Sequence, residues 1–370
     1  MLKRHLDNFI SKLIDWWFRV STIERYLIAT GTGLLIAIFG GPPVILELLR
    51  IGFGALPESL VRVRERIDTF YAWILAIALA LIAVGLLLAV WRFVNDTKSR
   101  SKRRSLVIEA RGLRDDDGVS LAEAVAKDHD GVVTPIILDL RNRLDGRVIE
   151  PENAIADITA IHRSVLQHRK DGDRANIKIV YGGLTSVPYT FLTGVLLDDE
   201  SEILIYDWDR TQEAWRKIDG DDDGVNFKGS GLESLAGAEV VVALAYSYPV
   251  TDDDLATTFN LPIVRLTLEE MSSDAHWSQK KQHRLAQEFF ETAKRLSANG
   301  VKRIHLVLAA PNSVVFTFGR RYDKRNLPEV VVYQYQRGEV PAYPWGVLMP
   351  VAGIERPRIL YSEAVDLRLA

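Results

Sequence analysis

The chain has 370 residues, 48% hydrophobic and 26% charged, with a formal net charge of -3. That length accommodates two or three domains, and the near-neutral balance provides no strong field for long DNA or RNA, which excludes counterion-release binding as the main activity. With no cysteine, disulfides, thiolate metal sites and cysteine nucleophiles are excluded too, as suits a reducing compartment.

Apolar residues are concentrated in the first hundred positions. Residues 1–25 place Leu2, Leu6, Phe9, Leu13, Trp16, Trp17 and Val20 at helical spacing among Lys3, Arg4, Lys12 and Arg19. This is the pattern of an amphipathic helix, either lying on a membrane surface or packed on a soluble domain. Tyr26 to Leu46 carries no charge, and neither do the 23 residues from Thr69 to Trp91. About 20 residues at ~1.5 Å each cross a hydrocarbon core of roughly 30 Å. Residues 26–94 are therefore expected to form a two-span transmembrane hairpin, with spans at 26–46 and 69–91. No small-residue cleavage site stands out, so the anchor is expected to persist. Arg92, Lys98, Arg100, Lys102, Arg103 and Arg104 follow the second span and Lys12, Arg19 and Arg25 precede the first, against Arg50, Arg62, Arg64 and Arg66 between them. The positive-inside bias then places both termini in the cytoplasm.

Ala29, Gly33, Ala37 and Gly41 recur every four residues in the first span, as do Ala72, Ala76 and Ala80 in the second. In lipid, packing drives helix association, so these stripes are expected to serve contact within the hairpin or between protomers. Gly40, Gly41, Pro42 and Pro43 are expected to kink or end the first helix.

Residues 95–105 are polar and basic and read as a linker. The rest, 106–370, reads as an α/β domain of two Rossmann-like halves, 106–225 and 226–370. Strands are expected at Leu106–Ile108, Pro135–Leu140, Ile177–Tyr181, Ile203–Tyr206, Val240–Ala245, Ile263–Leu268, Ile304–Leu308 and Val330–Tyr335. Helical patterns, notably Asp157–His168 and Gln279–Asn299, alternate with them, which points to a doubly wound parallel sheet. Ile177–Arg210 overlays Ile304–Arg337 without a gap and with nine identities, among them Ser186 with Ser313, Thr190 with Thr317 and Tyr206 with Tyr333. Duplication of a Rossmann-like half accounts for this. Ligands of such sheets bind beyond the carboxyl ends of the strands, at helix N-termini. The turns Gly182-Gly183-Leu184-Thr185-Ser186 and Ala309-Ala310-Pro311-Asn312-Ser313 are expected to lie there.

No G-x-x-x-x-G-K-[ST], H-E-x-x-H or G-x-S-x-G motif is present, so neither a catalytic residue nor a metal site is expected. His276 and His283 are expected on a solvated helix face, Asp219–Asp223 in a solvated acidic hairpin and Asp115–Gly118 in a turn.

The run from Ile304 to Arg321, then Val332-Tyr-Gln-Tyr335 and Val340-Pro341-Ala342, resembles the C-terminal signature of SAVED domains. Val240–Pro249, Asp252-Asp-Asp254 and Leu261–Leu266 are similar to its middle part; the likeness spans Leu106 to the C-terminus and is most specific from Glu239 to Ala342. It implies two fused CARF-type halves sensing a cyclic di-, tri- or tetranucleotide, with no cofactor. It also implies a role in bacterial CBASS anti-phage signalling. Joined to two spans, it implies a multi-pass inner-membrane effector: ligand-induced homo-oligomerisation clusters the helices and disrupts the lipid bilayer in abortive infection. A membrane-tethered CARF-type enzyme that cleaves cyclic oligonucleotides and a membrane scaffold for protein partners are the alternatives. For such a messenger the candidate contacts are Thr185, Ser186, Pro311, Asn312 and Ser313, with Ser247 nearby. Each hydroxyl or amide either meets phosphate or ribose or only caps a helix. Tyr246 or Tyr248 is expected to stack on a base. Arg141 is either a phosphate partner or part of a surface salt bridge, and Arg320 and Arg321 are candidates for a neighbouring protomer.

Overall fold

The computed structural model describes residues 22–39, 58–113, 119–129, 131–141, 143–144, 147–148, 151–170, 176–198, 202–233, 237–351 and 356–364. The expected amphipathic helix before Thr22, the Asp115–Gly118 turn and the Gly40–Pro43 break with its Gly41 lie outside these residues. Two units are distinguished, Met1–Arg100 and Ser101–Ala370.

The first unit contains α1 (Thr22–Phe39) and α2, a helix of 45 residues from Glu58 to Lys102. Within α2, Phe70–Asn95 is the one stretch among the described residues long and apolar enough to cross a membrane. The two helices run antiparallel, because Glu24 pairs with Arg92 at 2.9 Å, Gly85 backs onto Leu27 and Ile28, and Gly31 backs onto Ala78 and Ile82. A Cβ on Gly31 would stand 2.7 Å from the Ala78 carbonyl oxygen. Small residues thus do make the hairpin contact, but different ones from those expected. Ala29, Gly33, Ala37, Ala72, Ala76 and Ala80 are all exposed, and nothing lies within 4 Å of a Cβ built on Gly33. Two residues turn a helix by about 200°, so a seam on Gly31 and Ala78 sends both expected stripes to the outer face.

Within the expected 95–105 linker, where the two units divide, α2 continues to Lys102 and the first strand opens at Arg104. Asn95–Lys102 contains no glycine or proline to stop the helix, and basic residues near a helix C-terminus favour its dipole.

In the second unit the chain forms β1 (Arg104–Arg111), α3 (Leu121–Asp128), β2 (Val132–Asp139), the short pair β3 (Arg143–Leu144) and β4 (Arg147–Val148), and α4 (Pro151–Lys170). Then come β5 (Ile177–Leu184), α5 (Val187–Leu196), β6 (Ile203–Asp209), β7 (Ala214–Lys217) and β8 (Phe227–Ser230). The second half adds β9 (Glu239–Ala245), α6 (Asp252–Ala256), β10 (Ile263–Leu268), α7 (Gln279–Ala298), β11 (Arg303–Ala309) and α8 (Asn312–Arg321). It closes with β12 (Glu329–Gln334), β13 (Trp345–Leu348) and β14 (Arg358–Tyr361).

One sheet has the order β2-β1-β5-β6-β7 and the other β14-β13-β12-β11-β9-β10-β8. Each is built on four parallel strands, β2-β1-β5-β6 and β10-β9-β11-β12. The shared order extends the duplication from the 34-residue overlay to the whole of each half. β9 is apolar and buried from Val240 to Ala245, as a strand covered on both faces must be. A single core joins the halves, running from Ile108 and Phe191 to Val242 and Phe316. At its centre α5 and α8 touch backbone to backbone: a Cβ on Gly194 would collide with the Phe316 carbonyl, and one on Gly319 with that of Phe191. Tyr181 stacks on Phe316 beside them, with centroids 3.7 Å apart.

The acidic segment before β8 is exposed as expected, Asp222 excepted, and two of its carboxylates are also tied to α7. Asp222 accepts from Arg284 at 2.8 and 3.0 Å, and Asp223 accepts from the buried Lys281 at 2.5 Å, which fastens the loop to α7. His276 is buried rather than solvated, whereas His283 is exposed.

Candidate ligand site at the carboxyl edges

Beyond the end of β5, Thr185 and Ser186 lead into α5, with Ser186 at the N-cap and Pro188 in the first turn. Gly182 and Gly183 belong to β5 and not to the turn. A Cβ on Gly182 would lie 2.9 Å from the Leu121 side chain, and one on Gly183 2.6 Å from the Tyr181 hydroxyl. Close packing, and not a phosphate cradle, accounts for these glycines. Thr185 is 2% exposed, and neither its Oγ1 nor the Ser186 Oγ has a hydrogen-bond partner among the described residues. Leaving a buried hydroxyl unpaired costs about 1–3 kcal/mol unless water, an ion or a ligand meets it.

The matching turn of the second half is saturated. Pro311 is the N-cap of α8. The Asn312 side-chain carbonyl accepts from the Thr190 hydroxyl at 2.7 Å and from the Thr185 N–H at 3.3 Å. The Ser313 Oγ accepts from Gln282 at 3.0 Å, and the Thr317 hydroxyl donates to the Gln282 carbonyl oxygen at 2.9 Å. Helix ends are capped reciprocally: the Ser313 N–H donates to Asp207 Oδ2 at 3.0 Å, and the Val187 N–H to Gln334 Oε1 at 3.0 Å. The fourth parallel strand of each half therefore caps the other half's helix. His276 Nε2 lies 3.6 Å from Asp207 Oδ2; burial holds its pKa below the ordinary histidine value, and the carboxylate opposes this. Sequence reasoning missed Asp207, Gln282 and Gln334, whose only local signal is a polar residue at the end of a buried strand or in the first turn of a helix.

After β9, Tyr246 is fully buried, donates its hydroxyl to the Ala275 carbonyl at 3.1 Å and meets Phe227 edge to face. Burial raises its pKa. No ring face is left for a base, and of the two expected aromatics only Tyr248, 56% exposed, presents one. Ser247, between them, is 8% exposed and its Oγ has no partner among the described residues. Its N–H donates to the Ala309 carbonyl, just before the α8 turn whose Asn312 holds Thr185. Arg141 grips Asp139 through Nε at 2.8 Å and also through Nη2, so its salt bridge is present. The hydrogen bond from Arg141 keeps the Asp139 carboxyl below the usual carboxylate range. Arg321 is exposed, donates to Gln287 at 2.7 Å and covers the Phe290 ring.

A family model described as the SMODS-associated and fused to various effectors sensor domain, SAVED, matches residues 158–349. The chain belongs to the SAVED family. A second model, the SAVED-fused 2TM effector domain, matches residues 3–155, so this SAVED protein carries its membrane-embedded effector region at the N-terminus. Among solved structures it is similar to the Acinetobacter baumannii Cap4 SAVED/CARF-domain containing receptor with the cyclic trinucleotide 2'3'3'-cAAA, at 14% identity and a TM-score of 0.46, covering 80% of this chain and 62% of that one. The same receptor with 3'3'3'-cAAA gives 14% identity, a TM-score of 0.45 and the same coverage. The Moraxella osloensis Cap4 SAVED/CARF-domain containing receptor gives 15%, 0.41, and coverage of 76% and 58%. The chain thus spans about three fifths of the length of these receptors. No curated protein matches it.

The boundary between the two family models falls inside α4, yet one sheet of the SAVED protein draws β1 and β2 from before it and β5, β6 and β7 from after it. At the opposite, amino-terminal ends of the second sheet lies an open cleft of about 420 Å³, lined by Glu239, Lys302, Arg303, Lys324 and Glu329 among others. Arg303 is held there by Glu329 at 2.7 Å.

Proposed function

We propose that this SAVED protein is a non-enzymatic, membrane-anchored sensor of a cyclic oligonucleotide that acts as a CBASS anti-phage effector. Ligand at the carboxyl edges of the two halves drives homo-oligomerisation, and the assembled hairpins disrupt the inner membrane in abortive infection. The observation that carries the reading is the gathering of three buried hydroxyls without a protein partner, Thr185, Ser186 and Ser247, at the carboxyl edges of both halves. The pairing of a sensor model with a two-span effector model supports it. The antiparallel hairpin supports a multi-pass anchor with both ends in the cytoplasm. Its outward stripes supply faces for contact between protomers.

The test uses the full chain in vesicles of phosphatidylethanolamine and phosphatidylglycerol. Cyclic di-, tri- and tetranucleotides are added, headed by the cyclic triadenylates with which the similar Cap4 receptor is described. Heat of binding, a larger sedimenting species, release of trapped dye and an intact ring are expected. No binding of any ring sinks the reading, and linear products move the protein to the cleaving class. Changing Ala29, Gly33 and Ala37 together to leucine is expected to abolish dye release while binding stays intact; release that persists removes helix clustering from the mechanism.

A further inference from the structure

Two arginines finish the strands that precede the family boundary. Arg111 is the last residue of β1, Arg141 follows β2 by two positions, and each has an acid two residues earlier, Glu109 and Asp139. Register sets them side by side: Arg111 pairs with Asp139, and the Arg111 carbonyl accepts the Leu140 N–H at 2.6 Å. Glu109 is buried, accepting the Leu121 N–H at 2.9 Å on Oε2 and Arg111 Nε at 2.7 Å on Oε1. One edge of the guanidinium is thereby held, and its terminal nitrogens have no partner among the described residues.

From Arg111 the chain runs directly against the unpaired hydroxyl of Thr185. Gly112 and Leu113 both donate to the Leu184 carbonyl at 2.8 Å, and a Cβ on Gly112 would strike Thr185 Oγ1. The carboxyl edge of the second half differs in chemistry. No lysine or arginine stands within two residues of the ends of β9, β10, β11 or β12, whereas Tyr248 and Tyr335 are exposed there. Cationic donors thus stand at the carboxyl edge of the first half and aromatic faces at that of the second, with an unpaired hydroxyl at each.

We propose that Arg111, assisted by Arg141, binds a phosphodiester of the cyclic oligonucleotide, so that the segment matched by the effector model supplies the sensor's anion-reading residues. This rests on the messenger-sensing reading above and deepens it. A planar guanidinium fixed through one nitrogen offers the remaining pair to two phosphate oxygens, a fork that lysine cannot supply. In the chain a single residue, Arg103, separates α2 from β1.

Full-length protein in nanodiscs is titrated with the same panel of cyclic di-, tri- and tetranucleotides. Arg111→Ala is combined with Glu109→Gln so that no buried carboxylate is stranded; Arg111→Lys retains the charge, and Lys302→Ala, at the opposite end of the second sheet, is the control. The double variant is expected to lose about tenfold or more in affinity and Arg111→Lys about three- to tenfold. The log–log salt dependence of the double variant becomes shallower by about one, and Lys302→Ala stays within about twofold of wild type. Melting temperatures are compared first, and if the double variant is unfolded the lysine variant decides alone. Wild-type affinity and salt dependence in the Arg111 variants overturn the proposal and leave messenger sensing in place. If the wild type itself binds no ring, sensing fails and this assignment falls with it.

Discussion

The two halves of the sensor share a strand order and a glycine seam, yet they treat the turn after β5 and the turn after β11 in opposite ways. In the first half, Thr185 and Ser186 keep hydroxyls that no group among the described residues satisfies. In the second, Asn312 and Ser313 are consumed by Thr190 and Gln282. The caps differ as well: a neutral amide, Gln334, meets the first helix and a carboxylate, Asp207, meets the second. A carboxylate at a helix N-terminus occupies the place that would otherwise attract a phosphate oxygen. After duplication the parallel strands retain what packing demands. The turns diverge, one keeping its hydroxyls unpaired and the other welding the halves together.

The comparison breaks most completely at the seam. Gly319→Val drives a branched side chain into the backbone of α5, with no flexible neighbour to yield; loss of a cooperative melting transition is expected, whereas Gly33→Val, on the exposed face of α1, leaves melting unchanged. A seam that tolerates Gly319→Val would show that the halves move apart easily.

Next come the caps. Asp207→Ala leaves the Ser313 N–H buried and unpaired and is expected to destabilise by about 3 kcal/mol, against about 1 kcal/mol for Gln334→Ala, because charge-assisted bonds are roughly twice as strong. Chemical denaturation of the two variants reads the difference, and equal losses would make the caps equivalent.

The serines sharpen the contrast further. Ser313→Ala is expected to lower stability by about 1 kcal/mol, whereas Ser186→Ala, whose hydroxyl has no protein partner, leaves melting within error and weakens ring binding by about fivefold. The reverse pattern would exchange the roles of the two turns.

The smallest effect is at the acidic loop. The hydrogen bond from Arg284 lowers the Asp222 pKa from 3.8 to about 2. A carboxyl lowered on folding contributes its stability above its unfolded value and loses it as pH falls through the folded one. Asp222→Asn should therefore flatten the decline in melting temperature between roughly pH 4 and pH 2. An acid limb that matches wild type would detach the loop from α7.

Composition and periodicity alone determined the apolar stretch Phe70–Asn95, every expected strand and the repeat, the strands because burial on both faces of a parallel strand writes a continuous apolar run into adjacent residues. Even Arg111 was legible in principle, through the repeated acid-x-arginine of Glu109-Ala-Arg111 and Asp139-Leu-Arg141. Tertiary structure decided the rest. It chose Gly31 over Gly33 for the hairpin, since a two-residue change of phase reverses the face of a helix. It buried Tyr246 and exposed Tyr248. It settled which hydroxyls are satisfied through partners 122, 31 and 35 residues away in the chain, Asn312 for Thr190 and Gln282 for Ser313 and Thr317. Hydrogen-bond satisfaction depends on groups that only folding brings together, so no local pattern distinguishes Ser186 from Ser313.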